Sequence, residues 1–131
     1  MNILLDTHIL LWALYETRKL KKKHFDLIKN INNDIFVSAI SIWEISLKHA
    51  LDKLYFERLD TSKILQAIDA SGFTTINMTP RDAVDYYNLP RLTHRDPFDR
   101  MLICQAIQND FELMSTDKVL LEYKNYGLKI I

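Results

Sequence analysis

Acids that close apolar runs or open helical ones are the groups in this chain best suited to chemistry. Asp6 ends the run Asn2-Ile-Leu-Leu, and Glu44 falls in the first turn or so of the helix expected after Asp34-Ile-Phe-Val-Ser38. Asp96 and Asp99 open the helical pattern before Phe111-Glu-Leu-Met-Ser115, and Asp117 follows that run directly. In an open parallel sheet, ligands bind beyond the carboxyl ends of the strands, so these carboxylates are expected to converge on one edge. Carboxylates that close repel one another unless a cation neutralises them, and oxygen ligands select hard ions such as Mg²⁺ or Mn²⁺. One or two hydrated divalent ions held this way activate water and stabilise charge on a phosphate, which is the chemistry of phosphodiester hydrolysis.

Each acid also reads as a structural device. Asp6 and Asp117 suit helix N-caps, and Asp96 at N-cap with Asp99 at N3 flanks Pro97 as the helix dipole favours. Ser41-Ile-Trp-Glu44 fits a capping box, and Glu44 with Lys48 makes an i,i+4 ion pair. The joint pattern asks for more than capping. Glu44 is superfluous where Ser41 caps, and Asp99 is superfluous where Asp96 caps.

The elements that must position these acids alternate. Short apolar runs at Asn2–Asp6, Asp34–Ser38, Phe73–Asn77, Phe111–Ser115 and Leu128–Ile131 read as strands. Between them lie helical stretches: Thr7–Tyr15, a segment with Leu20, His24, Leu27, Ile28 and Ile31 at helical spacing, Ser41 to about Leu54, and Thr61 to a cap at Gly72. Thr79-Pro80-Arg81-Asp82 and Asp96-Pro97-Phe98-Asp99 are helix starts. On the Ser41–Leu54 helix, Trp43, Leu47, Ala50, Leu51 and Leu54 share a face. The alternation predicts a single three-layer α/β domain over residues 1–131 with a mainly parallel sheet.

Composition narrows the function. The 17 Lys and Arg balance 17 Asp and Glu, which argues against a DNA-packaging protein. Two glycines leave no dinucleotide fingerprint or P-loop, and the one cysteine, Cys104 in an apolar helical stretch, reads as a buried thiol. No apolar run reaches membrane-spanning length, and the start MNILLDTHILLW has an acid where a signal peptide has basic residues, so a cytosolic protein without membrane partners is expected. The basic run Arg18–Lys23 reads as a solvated face. Ser38 and Ser41 lack the setting of a serine hydrolase nucleophile, and the four histidines lack metal-site spacing. His94 reads as a surface or cap residue that could also touch substrate.

Four spaced elements carry a resemblance that spans essentially the whole chain: Leu5-Asp6-Thr7-His8, Ser41-Ile-Trp-Glu44-Ile-Ser-Leu-Lys48, His94-Arg-Asp96-Pro-Phe-Asp99-Arg-Met-Leu-Ile-Cys-Gln-Ala106, and Ser115-Thr-Asp117. This set resembles the PIN-domain nucleases, in particular the VapC-like toxins of toxin–antitoxin pairs. The resemblance implies a Mg²⁺- or Mn²⁺-dependent endoribonuclease, often a homodimer, held inactive by a cognate antitoxin. It makes Asp6, Glu44 and Asp99 the central acids, Asp117 the more variable fourth, and Thr7 and Ser115 the hydroxyl residues beside them; Asp96 is an additional candidate ligand. Arg95 and Arg100, next to the acids, are candidates for RNA phosphates.

Two other functions remain open at this point. A receiver-like phosphoacceptor module also gathers acids at strand ends, but it wants a paired acid where Leu5 precedes Asp6 and an Asp where Asn77 ends the third run. An inert scaffold on the nuclease fold would not need the full acid set. A separate expectation concerns the segment His8–Tyr15, which is apolar almost all round after His8. Some of Leu10, Leu11, Trp12, Leu14 and Tyr15 are therefore expected to stay uncovered in a monomer, available to an antitoxin segment or a second copy.

Overall fold

The computed structural model describes residues 1–54, 56 and 59–131. Five strands, β1 (Asn2–Leu5), β2 (Asp34–Ser38), β3 (Thr74–Ile76), β4 (Glu112–Met114) and β5 (Lys129–Ile130), form one sheet in the order β3-β2-β1-β4-β5, every pairing parallel. Ile3, Leu4 and Leu5 are fully buried because helices cover both faces of the sheet. Successive residues feed opposite cores: Leu4 shares one with Met101, Leu102, Ile103, Ala106, Leu120 and Tyr123, while Ile3 and Leu5 share the other with Ile9, Leu10, Ile64 and Ile68. The result is the three-layer α/β architecture that the alternation of elements predicts.

The chain runs outward from β1 through β2 to β3, then resumes on the other side of β1 with β4 and β5. The order of strands thus reverses between β1 and β4, the point at which such sheets bind ligands. This order also bears on the receiver reading. It leaves β3 and Asn77 at the sheet edge with β2 between them and Asp6, whereas a flavodoxin-like receiver would have its third strand beside its first.

Six α-helices among the described residues connect the strands: α1 (Thr7–Tyr15), α2 (Lys22–Lys29), α3 (Ala39–Ala50), α4 (Ile64–Ala70), α5 (Pro80–Asp85) and α6 (Pro97–Asn109). Asp117 caps a 3₁₀ segment, Lys118–Tyr126. The expected starts at Thr79 and Asp96 are present, the first as a capping box closed by Asp82. Gly72 sits past α4 at φ +75°, where a residue without Cβ is favoured.

Four expectations need correction. Helix α3 starts at Ala39, directly after β2, and its cap is Ser38, whose Oγ accepts from Ile40 N; Ser41 is no cap and forms no capping box with Glu44. The stripe Trp43, Leu47, Leu51 points outward, with Trp43 58% and Leu51 55% exposed, because the sheet takes the opposite face, Ile40, Ser41, Glu44 and Ile45. Helix α1 has little surplus apolar surface: Leu10 and Leu11 are buried, and Trp12, Leu14 and Tyr15 are half-buried against the same core. Ile31 lies beyond α2 and is 96% exposed rather than part of its apolar face.

Candidate active site

The acids meet at the reversal point because each is fixed by the element that carries it. Asp6 extends β1 by one residue, donating its N–H to Met114 O of β4, while its Oδ1 accepts from Ile9 N and caps α1. Ser115 continues β4 alongside it, where its side chain favours the charged Asp6 carboxyl and its Oγ accepts from Asp117 N. Glu44 reaches in from the buried face of α3. Its Oε1 accepts a 2.6 Å hydrogen bond from Thr7 Oγ1, which also lies 3.1 Å from Ser41 Oγ, and its Oε2 accepts from Lys48 Nζ.

Asp99 arrives from α6. Phe98, one residue earlier, packs edge-on against Trp43 of α3 with ring centroids 5.0 Å apart, which brings the start of α6 against the helix that carries Glu44. Asp99 Oδ2 is 2.8 Å from His94 Nε2, and the other ring nitrogen of His94 is 3.8 Å from Asp117 Oδ2. One ligand atom from each of His94, Asp99 and Asp117 lies within 4.8 Å of the others.

Electrostatics in the cluster follow from burial and crowding. Asp6 is 8% exposed, and desolvation pushes its pKa up to about 6; the hydroxyl of Ser115 and the N–H of Ile9 oppose the rise, and the charge of Asp99 adds to it. Burial likewise raises Asp99, with the hydrogen bond from His94 opposing and the charges of Asp96 and Glu44 adding. Burial alone would lower the Lys48 ammonium, but the hydrogen bond and charge of Glu44, helped by Asp96 and Asp99, outweigh it and raise the pKa. The cluster therefore has more negative groups than its own cation can balance.

Capping and site roles separate at Asp96. Its Oδ1 accepts from Phe98 N at 2.8 Å and Asp99 N at 3.3 Å, so Asp96 fixes the first turn of α6 while Asp99 faces the other acids. Asp117 combines both, with Oδ1 on Val119 N and Oδ2 towards His94.

The two arginines diverge. Arg95 is exposed at the rim, whereas Arg100 is 6% exposed and turned away from the acids. Its guanidinium donates to Tyr86 Oη, Tyr123 Oη, Leu89 O and Pro90 O, and lies 5.1 Å from the centre of the Tyr86 ring. Adjacent helix positions differ by about 100° in direction, since a turn takes about 3.6 residues, so closeness to Asp99 in sequence is no closeness to its carboxylate. Arg100, expected at the substrate, is instead a scaffold for the loop before α6.

His94, read from the sequence as a surface or cap residue that could touch substrate, and Lys48, read as the ion-pair partner of Glu44, both join the site. The sequence signals were present: His94 lies two residues before the cap of α6, and Lys48 is one turn from Glu44.

Residues 3–126 match the PIN domain family. The chain is a PIN domain. Among proteins similar to it is Ribonuclease VapC22 of Mycobacterium tuberculosis, 25% identical over 124 residues, a span of 95% of this chain and 93% of the relative. In fold, this PIN domain resembles the structure of VapBC2 from Rickettsia felis bound to a promoter DNA fragment, with a TM-score of 0.65 and 18% identity over 100% of this chain and 98% of that one. It resembles equally the DNA-bound VapBC of Salmonella typhimurium, with a TM-score of 0.66 and 17% identity over 100% of this chain and 97% of that one. No α-helix of this PIN domain, among the described residues, is long and apolar enough to cross a membrane.

Proposed function

We propose that the chain is the toxin ribonuclease of a toxin–antitoxin pair, a single cytoplasmic nuclease domain that hydrolyses RNA phosphodiester bonds with Mg²⁺ or Mn²⁺. Family membership and a relative named as a ribonuclease support the reading. The observation that carries it is the gathering of His94, Asp99 and Asp117 within ligand distance of one another, with Asp6 and Glu44 near enough to add negative charge to the same cluster. Structural capping gives no reason for such a cluster, because crowded buried carboxylates cost stability unless a cation balances them.

The donor set fits a hard divalent ion, being mostly carboxylate oxygen with one imidazole. Asp6, Glu44 and Asp99 would hold it, with Asp117 as a fourth acid. When bound, such an ion supplies positive charge against the phosphate and makes a water acidic enough to deprotonate near neutral pH. The chain's own groups prepare the rest. Thr7 and Lys48 fix the two oxygens of Glu44, Ser115 and Ile9 N–H orient Asp6, and His94 holds Asp99 towards Asp117. Asp96 sets the helix turn that aims Asp99, Thr7 and Ser115 line the approach to the scissile phosphate, and Arg95 meets the RNA backbone.

A cognate antitoxin and a second copy of the chain are the partners this reading implies. The uncovered apolar surface for them lies on α3 and α4, where Trp43, Leu51 and Leu65 are exposed, rather than on α1. Leu51→Ala with Leu65→Ala, both away from the acids, should weaken one of the two associations while cleavage survives; unchanged affinities would move the contacts elsewhere.

The main test is cleavage of single-stranded RNA with Mg²⁺ or Mn²⁺ and with EDTA. Asp6→Asn, Glu44→Gln and Asp99→Asn should each lose more activity than the roughly 100-fold that outer residues of metal sites cost. Full cleavage in EDTA would overturn the reading.

A further inference from the structure

A cleft of about 420 Å³ opens beside the acids, lined by Tyr86, Arg91, Leu92, His94, Arg95 and Arg100. Three guanidinium groups and an imidazole line it, and no carboxylate does, in a chain whose formal charge is zero. Positive charge has been concentrated here. His94 belongs both to this wall and to the acid cluster, since its two ring nitrogens face Asp99 and Asp117. The cleft therefore begins where the acids end.

The loop that carries Arg91 and Arg95 is held at several points. Arg100 ties down Leu89 O and Pro90 O, Glu122 accepts from Thr93 N at 3.1 Å and Thr93 Oγ1 at 2.8 Å, and Asp96 caps α6. Because the backbone is already ordered, little entropy is lost when its side chains engage a ligand. Among the described residues, Arg91 and Arg95 form no ion pair and both are exposed. Arg100, by contrast, stacks its guanidinium on Tyr86 and forms part of the cleft wall.

We propose that this cleft is a single-nucleotide subsite for RNA, in which Arg91 and Arg95 grip the phosphate next to the one presented to the acids. This inference rests on the ribonuclease reading and adds where the nucleotide beside the scissile phosphate sits and which two side chains hold it. The volume lies at the small end of ligand pockets, about 300–1,000 Å³, with room for one nucleotide and none for a duplex. Unpaired RNA can turn a base towards an aromatic or guanidinium surface, which paired bases cannot do.

Binding of a fluorescein-labelled single-stranded oligoribonucleotide, measured by anisotropy in EDTA over a range of salt, tests the subsite apart from cleavage. Each phosphate contact contributes about 0.7 to the slope of log affinity against log salt for a single strand, so Arg91→Ala and Arg95→Ala should each lower that slope by about 0.7. Arg18→Ala, on the far basic run, should leave it unchanged. If wild-type protein binds and cleaves the strand while both variants keep the wild-type slope, the subsite is wrong and the nuclease reading stands. Equal competition by a blunt duplex would also overturn it. If the wild-type protein with Mn²⁺ fails to cleave RNA at all, the nuclease reading falls and this inference falls with it.

Discussion

Helix α6 takes part in two polar networks, one around Gln105 and one around Asp99. Gln105 is fully buried: its Oε1 accepts from Ser38 Oγ at 2.5 Å, and its Nε2 donates to Asn77 O at 3.2 Å and to Asp82 Oδ2 at 3.1 Å. Asp82 in turn closes the capping box with Thr79. Donors meet acceptors throughout, and the network ties the ends of β2 and β3 to the starts of α3 and α5. Around Asp99, carboxylates face carboxylates, and burial raises two of them in pKa. A buried polar network that is complete holds a fold together, whereas one left with surplus charge of one sign is built for something that arrives later.

The largest effects should separate the two networks cleanly. Glu44→Gln and Asp99→Asn should each remove cleavage by more than about 100-fold, and Asp99→Asn should do so with melting temperature kept or raised. Gln105→Leu should do the reverse, lowering stability by about 1–3 kcal/mol for each partner left unpaired, with any residual folded protein still active. Denaturant melts alongside cleavage assays distinguish them, and a Gln105→Leu protein that is stable but inactive would break the comparison.

Next in size is the pH dependence of the metal-free protein. The folded pKa of Asp6, about 6, lies above the ordinary 3.8, so the folded state holds that proton more tightly than the unfolded chain does. Its contribution is complete below about pH 3.8 and is lost as pH rises through about 6, and Asp99 shifts in the same direction. A shift of about two pKa units corresponds to about 3 kcal/mol, so Asp6→Asn, which keeps an amide able to cap, should stabilise the metal-free protein by up to that amount at pH 8. Destabilisation at pH 8 would mean that the carboxylate is structurally satisfied.

Smaller effects belong to groups outside both networks' centres. Asp96→Asn should change stability little because Asn caps as Asp does, while Asp96→Ala should cost about 1 kcal/mol. Cys104 is buried, and desolvation pushes its thiol up to about 11, so it should resist a thiol reagent until the chain unfolds. Rapid labelling of native protein would show that α6 opens.

The strands, the caps at Asp96 and Thr79, and the convergence of Asp6, Glu44, Asp99 and Asp117 were readable because apolar runs and the residues that end them are local signals. The buried face of α3 was not. That helix is apolar on both sides, with Ile40 and Ile45 on one and Trp43, Leu47 and Leu51 on the other, and periodicity cannot say which side meets the sheet. Ser41 competed with Ser38 for the cap, and the choice depended on β2 running into α3 without a loop. Arg100 was misread for a rotational reason, and the role of His94 depends on contacts with Asp99 and with Asp117, which lies in a different segment. Those contacts exist only once the sheet has formed.

The central claim is that the surplus carboxylates await a divalent cation, and melting temperature against Mn²⁺ at pH 7.5 tests it most directly. A ligand that binds only the folded state adds about 2.7 kcal/mol at 100 times its dissociation constant. Wild-type protein should therefore melt several degrees higher as Mn²⁺ is added, and Asp99→Asn should respond weakly or not at all. A wild-type melting temperature indifferent to Mn²⁺, or an equal rise in Asp99→Asn, would contradict the account.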